Sequence, residues 1–130
     1  MKIFELLNSE LIKDKTIESC KLFDMKNQEN KDKFKYQGVY ILVDSSNDEV
    51  IYVGSAYARF VRKRLLQYQE KKNTGNSSLY LDLIENSVTI SESAESYIKS
   101  LTVYSFKDES LEYKLINMID SLANKVGNDK

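Results

Sequence analysis

Histidine is absent from the chain, and cysteine occurs once, as Cys20. The first absence excludes a histidine general base, so any catalysis rests on Tyr, Lys, Arg or carboxylates. The second excludes an internal disulfide and a cysteine-based metal site, and Cys20 reads as a buried, inert thiol. No apolar run approaches the roughly 18 residues of a membrane span. The N-terminus also lacks a signal-peptide pattern, so the expectation is a soluble, cytoplasmic protein without a membrane partner. Charge of one sign is lacking too: 19 Lys and Arg against 20 Asp and Glu give a net charge of −1. Nothing global therefore advertises a polyanion partner. At 130 residues the chain has room for one core.

What is present concentrates between Gly38 and Tyr68. Two short runs rich in β-branched and aromatic residues, Val39–Val43 and Val50–Val53, flank the polar Ser45-Ser46-Asn47-Asp48. They read as a β-hairpin. Both faces of each strand are apolar, which predicts a sheet covered on two sides. With an odd loop and Asn47 in the left-handed conformation, Tyr40 and Tyr52 lie directly opposite each other on one face. Gly54 and Ser55 then read as a turn, and a helix follows from about Ala58 to Lys71.

On that helix Phe60, Val61 and Leu65 form the apolar arc. Arg64 and Tyr68, one turn apart, project within it. Arg59, Arg62 and Lys63 fall on the far side, with Leu66 the apolar outlier among them. From Arg59 to Lys72 the chain carries Arg59, Arg62, Lys63, Arg64, Lys71 and Lys72 against Glu70 alone. This local basic patch permits phosphate binding without demanding it.

The last helix, starting at Asp108, presents Leu111, Leu115, Ile116, Ile119 and Leu122 on one stripe, and Glu112 lies inside that stripe. A carboxylate or guanidinium on a core-facing stripe is costly unless it meets an opposite charge, a metal or a proton. Arg64 and Glu112 are two such misplaced charges. They are either a buried salt bridge or two walls of a site floored by Tyr40 and Tyr52.

Elsewhere the signals are plainer. Residues 2–25 suggest one or two amphipathic helices broken near Asp14–Thr16, and 26–37 a polar loop or linker. Ser77–Glu85 reads as a short helix, residues 91–99 as a further helical turn, and Leu101–Phe106 as a third strand. Together these elements give an α+β fold, a small central antiparallel β-sheet of about three strands flanked by helices. The N-terminal helical segment and linker occupy 1–36, ahead of a domain at 37–130.

Gly38-Val39-Tyr40, then Tyr52-Val53-Gly54, then Arg64-Leu65-x-x-Tyr68 resembles the signature of the GIY-YIG nucleases. Glu112-x-x-Leu115-Ile116 followed by Asn124 is similar to the family's last helix. The resemblance covers residues 37–128 and implies a divalent-metal-dependent DNA endonuclease, a small stand-alone member of restriction, homing or phage type. It implies one Mg²⁺ or Mn²⁺ on Glu112, Arg64 on the scissile phosphate, and Tyr40 or Tyr52 activating or orienting water. Tyr68 shares that role, Asn124 fixes the site from the last helix, and no small-molecule cofactor is implied. Gly54 then lets the backbone approach the phosphate, and Ser55, Arg59, Arg62, Lys63, Lys71 and Lys72 contact the substrate backbone.

Three departures stand out. A strict count from Tyr52 nominates Arg62 instead of Arg64. Ser121 replaces a proline that often precedes the terminal asparagine. Ser55 follows the glycine, as in some homing-type members, where restriction-type members often have lysine. Cutting both strands with one such site needs a homo-oligomer or two binding events. The alternative is a non-cleaving nucleic-acid- or protein-binding module on the same fold.

Overall fold

The hairpin forms where the apolar runs predict it, as β2 (Gly38–Asp44) and β3 (Glu49–Ala56). The computed structural model describes residues 1–68, 97 and 99–119. β1 (Glu18–Lys21) and β4 (Thr102–Phe106) complete a four-stranded antiparallel sheet in the order β1-β4-β2-β3. The fold class is α+β. The fourth strand is β1, which pairs Glu18 with Ser105 through to Lys21 with Thr102.

β1 corrects the expectation that residues 2–25 form one or two helices. Helix is confined to α1 (Ile3–Leu7) and a single 3₁₀ turn at Leu22–Asp24. The apolar spacing across 17–23 suited either period, and the ladder offered by β4 decided it: cross-strand pairing overrides a short local preference. The 26–37 segment is likewise no detached linker. Phe34 is fully buried, and a 3₁₀ turn spans Gln28–Asn30.

Each face of the sheet is covered, as its two-sided apolar strands predict. On one side α2 (Val61–Tyr68) and the 22–34 segment pack Leu22, Phe34, Val61 and Leu65 over Tyr40 and Leu42. On the other, α1 and α3 (Glu112–Ile119) pack Ile3, Leu6, Leu115 and Ile116 over Val39, Ile41 and Val53. α2 begins three residues later than predicted, which leaves Phe60 exposed, while Leu66 turns to pack against the core. Among the described residues no helix is long and apolar enough to cross a membrane.

The hairpin reaches its tyrosine arrangement by another route than the one expected. Its left-handed residue is Asp48 (φ 61°), not Asn47, and the β2–β3 register shifts between Leu42 and Val43. Beyond that irregularity Tyr52 stands opposite Leu42, and Tyr40 opposite Gly54. The two tyrosines therefore share a face as a diagonal pair, their stacked rings 6.5 Å apart at 29°. Such a pair is worth about 0.5–1.5 kcal/mol beyond its buried area.

Gly54 lies within β3 and not in a turn, and its role follows from Tyr40. A β-carbon there would stand 2.5 Å from the Tyr40 Cζ and Oη atoms. Only the missing side chain lets the Tyr40 ring lie flat across β3. The turn expected at Gly54 and Ser55 is therefore corrected to the end of a strand.

Candidate active site

β3 is an edge strand, and its last residues are where the two faces of the sheet can meet. Ser55 and Ala56 end the strand, and the chain then runs through Tyr57 and Arg59 into α2. A groove of about 190 Å³ is lined here by Ser55, Tyr57, Arg59 and Arg64. Arg64 comes from α2, on the Tyr40 face. Glu112 comes from the first turn of α3, on the opposite face, and its Oε1 accepts a 2.7 Å hydrogen bond from Ser55 Oγ. The two misplaced charges thus belong to helices on opposite sides of the sheet, connected around its edge through Ser55.

This geometry resolves one of the alternatives left by periodicity. Ser55 is the only hydrogen-bond partner of Glu112 among the described residues, so the carboxylate is not consumed by a salt bridge to Arg64. Its second oxygen keeps its lone pairs. Asp108 caps the segment before α3, its carboxylate accepting from the Ser110 N–H, which fixes where Glu112 emerges.

Arg62 turns toward the backbone of the preceding segment. Its Nη1 donates to the Asn30 carbonyl at 2.9 Å and the Lys33 carbonyl at 3.4 Å, and its Nη2 to the Met25 carbonyl at 2.7 Å. A guanidinium that meets three backbone acceptors is a clamp, a structural role that the sequence reading did not give Arg62. The clamp is reinforced by the first amides of α2: Val61 N–H donates to the Tyr36 carbonyl and Arg62 N–H to the Phe34 carbonyl, both at 2.8 Å. These bonds hold Phe34 in its left-handed conformation (φ 67°), together with a Glu18 Oε1 that accepts the Phe34 N–H.

The remaining expected residues divide as follows. Ser55 holds Glu112 and so acts as a positioning residue. Arg59 is exposed, with Nη1 on Gln67 Oε1, and Lys63 is exposed on α2. Tyr40 is 2% exposed, and Tyr52 partly buried beside it. Tyr68 ends α2. Lys71, Lys72 and Asn124, with the Ser77–Glu85 helix, lie outside the described residues.

Periodicity missed a second cavity at the same end of the sheet. It encloses about 550 Å³ between Lys15, Glu18, Asp32, Lys35, Tyr36 and Lys107. The Tyr36 hydroxyl is buried without a well-formed hydrogen bond. Desolvation, with the nearby Glu18 charge, pushes its phenol up to about 12, against the opposing influence of the Ser105 hydroxyl. No local pattern marks this cavity in the sequence, because its walls come from three separate segments.

Comparison with protein-family models, with curated proteins and with solved structures returns no match.

Proposed function

We propose that the protein is a divalent-metal-dependent DNA endonuclease of GIY-YIG type. The observation that carries this reading is the edge-of-sheet grouping: Arg64 and Ser55 line one groove, and Ser55 holds Glu112. The stacked Tyr40–Tyr52 pair lies on the α2 face of the same hairpin.

Whether Mg²⁺ or Mn²⁺ fits is a question about donors. Among the described residues no three His, Cys, Asp or Glu side chains cluster as a metal cage. A small hard dication does not need one: it binds through one or two carboxylates and keeps water and substrate phosphate as its other ligands. Glu112, with one oxygen steadied by Ser55 and the other open, fits that pattern. Bound there, the ion supplies charge neutralisation at the scissile phosphate.

The protein's own groups divide the remaining work. Arg64 presents a planar fork to the phosphate and stabilises charge that grows on its equatorial oxygens. Tyr40 or Tyr52, once its phenolic proton has passed to solvent under the influence of nearby positive charge, would orient the attacking water and accept its proton. Ser55 fixes the rotamer of Glu112. Purified protein incubated with Mg²⁺ or Mn²⁺ on linear, supercoiled and branched DNA tests this. Glu112→Ala is expected to cut at least about 100-fold more slowly. Equal inertness of wild type and Glu112→Ala on every substrate ends the enzyme reading.

The near-zero net charge favours a second reading, a non-cleaving nucleic-acid- or protein-binding module. It requires binding that is indifferent to metal and unchanged in Arg64→Ala and Glu112→Ala.

A further inference from the structure

Large side chains left in water are the other anomaly of this surface. Among the described residues the exposed large hydrophobics are Phe4, Phe23, Tyr57, Phe60 and Tyr113. One of the five lines the candidate site, and two more stand next to its elements in sequence. Tyr57, 70% exposed, lines the Arg64 groove; Phe60, 51% exposed, precedes α2; Tyr113, 76% exposed, directly follows Glu112. Each forgoes burial that an aromatic ring ordinarily gains, and none is needed to cover the sheet.

Their setting is specific. Arg59 lies between Tyr57 and Phe60, and Lys63 and Arg64 follow one turn on. Tyr57 is also held in place, since its carbonyl accepts a 2.6 Å hydrogen bond from Gln37 Nε2. Rings interleaved with cations along a groove are the pattern that binds single strands: cations follow the phosphates, and bases stack on the rings. A base inside a duplex has no free face to offer Tyr57.

Resting on the nuclease reading, we infer that the site takes DNA whose bases are unpaired beside the cut, with Tyr57 as the principal stacking platform. The substrate class is single-stranded DNA, or the single-stranded portion of a frayed or branched molecule. An uninterrupted duplex is the disfavoured form.

Fluorescence anisotropy with the full chain, in EDTA so that no cleavage occurs, separates this inference from the nuclease reading. The probes are a labelled single-stranded oligonucleotide and a blunt duplex containing the same sequence, both at fixed salt. The single strand is expected to bind at least about 10-fold more tightly. Tyr57→Ala should weaken it about 5- to 100-fold and the duplex less than about 2-fold, the range of one lost stacked base. Tyr57→Phe should restore single-strand binding, because the ring and not the hydroxyl does the stacking. Equal affinity for both probes, or a Tyr57→Ala effect shared by both, overturns the inference. So does a dimer in sedimentation that Tyr57→Ala dissolves, since the rings would then serve a second copy. Preferential single-strand binding without any metal-dependent cutting supports the inference while ending the nuclease reading.

Discussion

The two cavities at one end of the sheet differ in the wrong direction for a size argument. The larger is about 550 Å³ and the Arg64 groove about 190 Å³. In the larger one the charges cancel locally. Lys15 pairs with Asp108 at 3.0 Å and Lys35 with Asp32 at 2.9 Å. Lys107 rests 5.7 Å over the Tyr36 ring, and Glu18 accepts the Phe34 N–H. The smaller groove has Arg59 and Arg64 in its lining, and its Ser55 carries the Glu112 carboxylate. Ligand chemistry follows the kind of groups brought together and not volume, so the nuclease proposal rests on the smaller groove.

Cleavage should divide the cavities most sharply. Arg64→Ala is expected to lower the rate with Mg²⁺ at least about 100-fold, and Lys35→Ala less than about 2-fold. A comparable loss from Lys35→Ala would break the comparison and draw the larger cavity into the substrate path.

Stability should divide the neighbouring arginines next. Arg62→Ala removes three hydrogen bonds to carbonyls of the 25–33 segment and is expected to cost about 2–4 kcal/mol in urea unfolding. Arg64→Ala is expected to cost less than Arg62→Ala, because the phosphate role assigns its guanidinium to substrate and not to the fold. Equal losses would mean that Arg64 is a second clamp and not a phosphate ligand.

Gly54→Ala comes third. Its methyl must displace the Tyr40 ring, an overpacking cost of about 1–3 kcal/mol. Cleavage should fall further than that loss accounts for, because the Tyr40–Tyr52 stack shifts with the ring. Unaltered cleavage by a folded Gly54→Ala protein would remove Tyr40 from the site.

The smallest effect belongs to the larger cavity. Absorbance titration should show a tyrosine ionising at about 12, a step absent from Tyr36→Phe. The sign for stability is fixed: above pH 10 the unfolded chain releases this proton while the folded one retains it. Stability therefore falls as pH rises from 10 towards 12. An ordinary Tyr36 titration near 10 would mean that the cavity is open to water.

Legibility from sequence followed the range of the interactions. The β2–β3 hairpin, β4 and the α3 stripe were readable because each is set by local periodicity and composition. Arg64 and Glu112 stood out for the same reason, as charges out of phase with their own helices. β1 was not readable, since its conformation depends on a partner strand most of the chain away. Nor was Arg62 distinguishable as a clamp, because its acceptors are backbone carbonyls, which no side-chain pattern records. Ser55 could be placed near the phosphate but not assigned to Glu112, a contact between the sheet edge and a helix on the far face. The packing of a ring on Gly54 was not readable because that ring comes from the neighbouring strand.

The pairing of β1 with β4 has a consequence in time. Glu18 must find Ser105, so β1 cannot enter the sheet until nearly all of the described chain has been synthesised. The β2–β3 hairpin is local and forms early, whereas closing so long a loop is slow. During that interval the flank of β2 that later receives β4 is an unpaired apolar edge. The interval before β4 docks is therefore when this protein is most exposed to aggregation.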